Sequence, residues 1–248
     1  MFNRQTTGKT ARILVITATI LVFLGFGSDP AAAGGWFKVA GGVSGMAMDD
    51  INEGNFSFYD ESTDGYDFPP LDSGFSLSFH LGYDLSPAWS LGFSWDKQYA
   101  RVTGTDVDIT ADLNLDANFF MTHLYWTPLI TGRWALGGAA GMGLVFPVGD
   151  VKVTGENNVN WGEGEITGSS GFALEAMGLV EFALGESTSL ELTVGWRDAT
   201  VDDFKVENRP ALKEDGTPIA LDYTGYIVKV GAKFMFGGDG DQDGPDIN

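Results

Sequence analysis

Cysteine is absent from the 248 residues, which excludes both a disulfide framework and a thiolate metal site. Basic residues are scarce: 14 Lys and Arg stand against 34 Asp and Glu, for a formal charge of −20. That balance argues against nucleic acid as a partner, because phosphates would be repelled. Beyond the first 30 residues no run approaches the roughly 20 apolar residues that a membrane helix requires. No segment carries a convincing helical period either. Glycine, in contrast, is plentiful at 35.

The N-terminus reads as a secretory signal over residues 1–33. Arg4, Lys9 and Arg12 make a basic start, Ile13 to Gly27 is apolar but short for a spanning helix, and Ala31-Ala32-Ala33 offers a small-residue cleavage site. Removal of that segment would take away three cations and Asp29, moving the charge from −20 to about −22.

The remaining chain is a series of alternating strands, expected at Trp36–Met48, Gly74–Leu85, Ala88–Arg101, Ala117–Trp126, Arg133–Val148, Ser169–Leu184, Ser189–Phe204 and Tyr223–Phe236. Most show the period of two that separates an apolar face from a polar one. In the second, Phe75, Leu77, Phe79, Leu81 and Tyr83 alternate with Ser76, Ser78, His80, Gly82 and Asp84. In the seventh, Leu190, Leu192, Val194 and Trp196 alternate with Glu191, Thr193, Gly195 and Arg197. The fourth is unreadable, since Phe119, Phe120, Leu124, Tyr125 and Trp126 occupy both parities.

Connection lengths alternate. Those near 49–73, 102–116, 149–168 and 205–222 are long, and those at 86–87, 127–132 and 185–188 are short. Such polarity, with all long loops at one end, is expected of a transmembrane barrel with short periplasmic turns and long extracellular loops. Two long loops look like hairpin extensions, with Val151–Thr154 and Val159–Trp161 flanking a turn and Val107 to Leu115 alternating. Aromatic residues cluster at both strand ends. Trp36, Phe37, Tyr83, Trp89, Tyr125, Trp126, Trp134, Phe182, Phe234 and Phe236 lie toward the short turns. Phe75, Trp95, Tyr99, Phe119, Phe146, Phe172, Trp196 and Tyr226 lie toward the long loops. Membrane interfaces select two such belts. In hydrocarbon every backbone polar group must be paired within the protein, so a spanning sheet must close.

The last strand ends Lys229-x-Gly231-x-x-Phe234-x-Phe236, which resembles the C-terminal insertion signal of bacterial outer-membrane barrels, except that a short tail follows Phe236. The chain as a whole resembles the small eight-stranded group that includes the OmpA transmembrane domain, OmpX, OmpW and the opacity proteins. The resemblance rests on architecture and on that signal. It implies an all-β, eight-stranded antiparallel barrel over 34–236 in the bacterial outer membrane, exported with a cleaved signal and followed by an acidic tail at 237–248. A soluble eight-stranded lipocalin would instead be polar outside and apolar inside.

An interior ion-pair network is expected. A tight turn after Leu184 sets a register in which paired residue numbers sum to 372, placing Glu175 opposite Arg197 and Glu181 opposite Glu191. Two glutamates face to face need cations, and Lys233, Lys229 and Lys38 lie on inward positions of the neighbouring strands. Arg133 and Asp96 are further candidates. Buried charges persist only when paired, so the network is expected to fill the lumen.

Other chemistry is thin. His80 shares a face with Ser76 and Ser78, in reach of a Ser–His arrangement, but no His-x-Ser pattern of the lipid A-modifying barrels occurs. An interior His bonded to a carboxylate is the alternative. In the tail, Asp239, Asp241, Asp243 and Asp246 around Gly244 form a partial calcium loop, read either as a weak Ca2+ site or as a solvated acidic segment. No other cofactor is expected. The reading is a non-enzymatic, monomeric barrel with a structural, adhesive or surface role. Its partners are outer-membrane lipid, lipopolysaccharide and the barrel assembly machinery. An OmpW-like channel for small apolar solutes and a lipid A-modifying enzyme are the alternatives.

Overall fold

The computed structural model describes residues 34–236 except 53–55, 59–60, 63–68, 107–108, 156–158, 203, 208 and 214–215. The leader at 1–33 and the aspartates of the tail lie outside the described residues.

Eight antiparallel strands form the wall: β1 (Gly35–Gly45), β2 (Ser73–Ser86), β3 (Trp89–Tyr99), β4 (Ile109–Thr131), β5 (Trp134–Gly155), β6 (Gly171–Ala183), β7 (Thr188–Val201) and β8 (Gly225–Phe236). Each pairs with the next in sequence. β8 returns to β1 in a ladder from Gly35–Phe236 to Ser44–Ile227, which closes the sheet and leaves no edge in the membrane zone. Among the described residues no helix is long and apolar enough to cross a membrane; the helix Asp49–Asn52 is a single turn.

The turn after β6 is set by the Leu184 and Gly185 amides, which both donate to the Thr188 carbonyl at 2.9 and 3.2 Å. The resulting register pairs Glu175 with Arg197 and Glu181 with Glu191. Once that turn is fixed, period two decides which side chains face inward along both strands.

The outward face is apolar and exposed: Phe75, Phe79 and Leu81 on β2, Trp89 and Phe93 on β3, Leu190, Leu192, Val194 and Trp196 on β7. From Trp89 to Tyr99, at about 3.3 Å per residue and a tilt near 40°, β3 climbs about 25 Å, the height of a barrel's apolar band. Cross-strand rings stack on this face: Phe79 on Trp95 at 5.6 Å, Trp89 on Trp126 at 6.1 Å and Phe37 on Phe234 at 4.8 Å. In β4 the odd residues Phe119, Met121, His123 and Tyr125 are buried and the even residues Phe120, Leu124 and Trp126 face out. Three rings expected in the interfacial belts, Trp36, Tyr125 and Phe119, therefore turn inward instead.

β4 and β5 run far beyond the membrane band and stay paired as far as Thr110–Thr154. Val159–Gly168 adds to the upper half of β5, and Arg101–Asp106 adds to the upper half of β4. Pro147, which has no amide hydrogen, sits where β5 has left β6, whose last pair is Gly171–Val145, and has not yet met Val159–Gly168, whose first pair is Gly149–Ile166. The inner face of this upper wall is apolar. Val102, Leu113, Leu115, Val151 and Ile166 pack there with Met46, Met48, Ile51, Phe204, Ile219, Leu221 and Tyr223 from the connecting segments into one buried cluster. Those segments are tied together. Asp50 accepts from Lys213 Nζ at 2.5 Å and from the Ala220 amide at 2.9 Å, and the Ala47 amide donates to the Asp222 carbonyl. Tyr223 donates its hydroxyl to the Asp116 carbonyl at 3.3 Å. Burial first, and the Asp116 charge second, hold its phenol well above the ordinary range. The extracellular mouth is thus filled by an apolar core.

Candidate functional site

The lumen below that core is polar. Its groups come from alternate residues of strands whose partners lie across the barrel. Arg197 of β7 is 1% exposed. Its Nε donates to Glu175 Oε1 of β6 at 2.7 Å, its Nη1 donates to Gln98 Oε1 of β3 at 3.1 Å, and its Nη2 meets Asp96 Oδ2 of β3. The guanidinium lies 3.7 Å over the Phe119 ring of β4. Four strands are therefore joined through one side chain, whose planar fork suits two carboxylates at once. Lys229 of β8 donates to the same Asp96 oxygen at 2.5 Å.

Nearer the periplasmic end, Lys38 Nζ meets Glu191 Oε1 at 2.6 Å, with Thr193 donating to that oxygen at 2.8 Å. Lys233 Nζ meets Glu181 Oε2 at 3.0 Å, and Ser189 donates to its other oxygen at 2.6 Å. The facing glutamates thus each hold a separate lysine. Among the inward groups, Lys38, Arg197, Lys229 and Lys233 balance Asp96, Glu175, Glu181 and Glu191. The exception among the expected members is Arg133. It lies exposed in the turn between β4 and β5, because that turn begins one residue before the inward alternation of β5 can take hold.

Two histidines complete the column. His123 Nε2 meets Glu175 Oε2 at 2.8 Å. Among the described residues His80 meets no carboxylate: Nδ1 lies 3.1 Å from the Tyr125 hydroxyl and Nε2 lies 3.2 Å from Ser78 Oγ. The interior His–carboxylate pair is thus made by His123, not by His80. The rings sit in sockets. A Cβ on Gly141 would collide with the His123 ring, and one on Gly82 would collide with the Trp36 indole. Trp36 packs edge-on to Tyr125 at 5.3 Å and closes the periplasmic end with Ala139, Met177 and Leu179. His123, Tyr125 and Gln98 were not expected in the site. The parity of β4 hid the first two, and the glycine opposite His123 was the signal that would have pointed inward. Ser78 and His80 are in hydrogen-bond reach, yet both are buried between the two apolar ends.

Of the insertion-signal residues, Lys229 and Gly231 face the lumen, where a Cβ on Gly231 would lie 2.7 Å from that of Ala40. Phe234 stacks on Phe37, and Phe236 is exposed on the outer face beside the closing pair.

An apolar outer wall around an inward column of paired charges, closed on itself and polarised between short turns and long extensions, defines a transmembrane β-barrel of the bacterial outer membrane. The sequence matches the model of the outer membrane protein beta-barrel domain over residues 18–236, and the chain belongs to that family. Among solved structures it is similar to the outer membrane protein OprG from Pseudomonas aeruginosa, with 13% identity, 84% of this chain and 99% of that chain covered, and a TM-score of 0.44. A major outer membrane protein from Thermus thermophilus gives 13% identity, 82% and 99% coverage, and a TM-score of 0.42. The outer membrane protease OmpT from Escherichia coli gives 10% identity, 83% and 94% coverage, and a TM-score of 0.33. No curated protein matches the chain.

Proposed function

We propose that this protein is a closed, non-conducting barrel, non-enzymatic, whose role is structural or surface-directed. The observation that carries the reading is the crossing of the lumen by Arg197, which links β7 to Asp96 and Gln98 of β3 and to Glu175 of β6. A side chain held in that way by two carboxylates occupies the centre of a barrel whose interior is just wide enough for side chains. The apolar core above and the Trp36 cluster below remove the two mouths through which a solute would enter. The same burial argues against hydrolysis at Ser78, since a substrate would have to displace one of these seals to reach it.

The test is single-channel recording in planar bilayers, comparing the unmodified protein with a Lys233→Ala, Arg197→Ala double variant. The unmodified protein is expected to show no steady porin-size steps, and the variant is expected to show leak events. Steady porin-size conductance in the unmodified protein would overturn the reading.

A further inference from the structure

The chain has two histidines, and both are buried in the lumen. Their hydrogen bonds suit neutral rings. Ser78 gives its hydroxyl proton to the Ala40 carbonyl at 3.4 Å, so its oxygen is left to accept from His80 Nε2–H at 3.2 Å. His80 Nδ1 therefore keeps its lone pair and accepts from the Tyr125 hydroxyl at 3.1 Å. Donors run in one direction, from Tyr125 to His80 to Ser78 to Ala40. A further proton has only Nδ1 to bind, where it meets the Tyr125 hydroxyl hydrogen. Among the described residues the Tyr125 hydroxyl has no second acceptor to turn to. His123 repeats the pattern. Its Nε2 is taken by Glu175 at 2.8 Å, and its Nδ1 is buried with no partner among the described residues, so a proton there would be unmet.

The charges around His80 favour the same state. Lys38 of β1 stands directly across from it in one ladder, and the uncharged Ser94 of β3 stands across in the other. The His123 ring of β4 lies 5.8 Å away between centroids. Lys229 of β8, Asp96 of β3, Glu175 of β6 and Glu191 of β7 complete the surroundings. Each carboxylate already holds a cation: Asp96 holds Arg197 and Lys229, Glu175 holds Arg197, and Glu191 holds Lys38. An imidazolium at His80 thus adds a cation to a column that is already balanced. The group it disturbs also carries the periplasmic seal. Tyr125 supports Trp36 edge-on, and the Trp36 indole N–H is buried with no partner among the described residues.

We propose that His80 is an acid-operated release for the periplasmic seal, acting through Tyr125 on Trp36. In the sealed barrel both ring nitrogens serve a neutral imidazole. When Tyr125 and Trp36 move apart, water reaches Nδ1 and the ring takes its proton. A group that binds its proton only in the loosened state favours that state as pH falls. The apolar core at the extracellular mouth contains no histidine and stays closed, so loosening admits periplasmic water without opening a path across the membrane. The inference rests on the sealed lumen proposed above.

The test is deuterium exchange of the Trp36 indole N–H, followed by NMR on full-length, isotope-labelled protein in detergent micelles at pH 7.5 and at pH 5.0. Trp36→Phe assigns the signal, and each rate is divided by that of a free indole at the same pH. For a histidine that ionises at about 6.5 once exposed, the loosening equilibrium shifts by about 30-fold between those two values. The unmodified protein is expected to be protected at pH 7.5 and about 30-fold less protected at pH 5.0. His80→Gln keeps a donor for Ser78 and an acceptor for Tyr125 but binds no proton, so it should lose that response. Heat-modifiable gel mobility confirms that the variant is folded. The imidazole nitrogen shifts of the unmodified protein give a reading that needs no variant. They should show a single Nε2-bound proton on His80 at pH 7.5, and proton uptake that accompanies the loss of Trp36 protection. An equal loss of protection in folded His80→Gln, unchanged protection of the unmodified protein at pH 5.0, or an imidazolium at His80 while Trp36 stays protected would each overturn the proposal. Free exchange of Trp36 already at pH 7.5 would overturn the sealed-lumen reading itself, and this inference with it.

Discussion

Replacing Lys38 by Met removes the cation that holds Glu191 without changing the bulk of the side chain greatly. The pair is short, 2.6 Å, and its side chains are 3% and 5% exposed, so neither bulk water nor salt screens it. Glu191 keeps the Thr193 hydroxyl, but one neutral donor does not replace a charge. Breaking such a pair from one side costs about 3–5 kcal/mol, because a buried ion is left alone. Lys233, held by Glu181 on the facing position, puts this case toward the lower end of that range. Neutralising both partners is different. The double variant Lys38→Met, Glu191→Gln leaves no orphan charge and keeps an amide for Thr193, so it should stand within about 1 kcal/mol of the unmodified barrel. The second substitution should therefore recover about 2–4 kcal/mol of what Lys38→Met loses alone. The assay is reversible urea unfolding in lipid vesicles, followed by tryptophan emission and by heat-modifiable gel mobility. Additive losses in the double variant would refute the reasoning, because they would mean that water already solvates Lys38 and Glu191.

Phe236→Asp places a charge on the lipid face beside the closing β1–β8 pair, and it should leave the protein degraded or aggregated in the periplasm. Normal levels in fractionated outer membranes would remove the insertion role of Gly231, Phe234 and Phe236. Gly141→Ala pushes a methyl into the His123 ring, which Glu175 holds in place, and should destabilise the barrel by about 1–3 kcal/mol in the same urea assay. Gly178→Ala is the contrast. Its methyl meets only the Val194 carbonyl at 3.8 Å and should be nearly silent. Glu207 holds a φ of 48° at the end of Phe204–Val206, where it is exposed, so Glu207→Gly should raise stability by about 0.5–1 kcal/mol. A loss instead would show that the Glu207 side chain makes a contact worth more than its backbone strain.

The barrel was legible because lipid imposes a simple code: period two, closure, and loops sorted by length. The β6–β7 register followed from one turn, and with it the pairing of Glu175 with Arg197. Strand β4 resisted, because its aromatic residues fall on both parities. An inward ring such as Phe119 is distinguished from an outward one such as Phe120 only by what lies across the lumen, here Arg197 and Tyr223. Trp36 and Tyr125 misled for the same reason: their chain positions fit an interfacial belt, while the open space over Gly82 drew the indole inside. Arg133 misled because a turn residue has no fixed face. The extracellular core was not legible at all. Met48, Ile51, Ile219 and Leu221 sit in the connections between the wall strands, and their burial depends on other connections arriving at the same place.

Because the chain has no cysteine, a single introduced thiol reports access to the lumen without background. Ser94 faces inward opposite His80 and is 1% exposed, between the Arg197 and Lys38 clusters. The decisive measurement is the labelling rate of Ser94→Cys in folded, membrane-inserted protein by a small charged methanethiosulfonate, beside Gly185→Cys in the exposed periplasmic turn. A sealed lumen predicts prompt reaction at position 185 and reaction at position 94 only after the barrel is unfolded. Labelling of Ser94→Cys in the folded barrel at a rate comparable to that of Gly185→Cys would contradict the account.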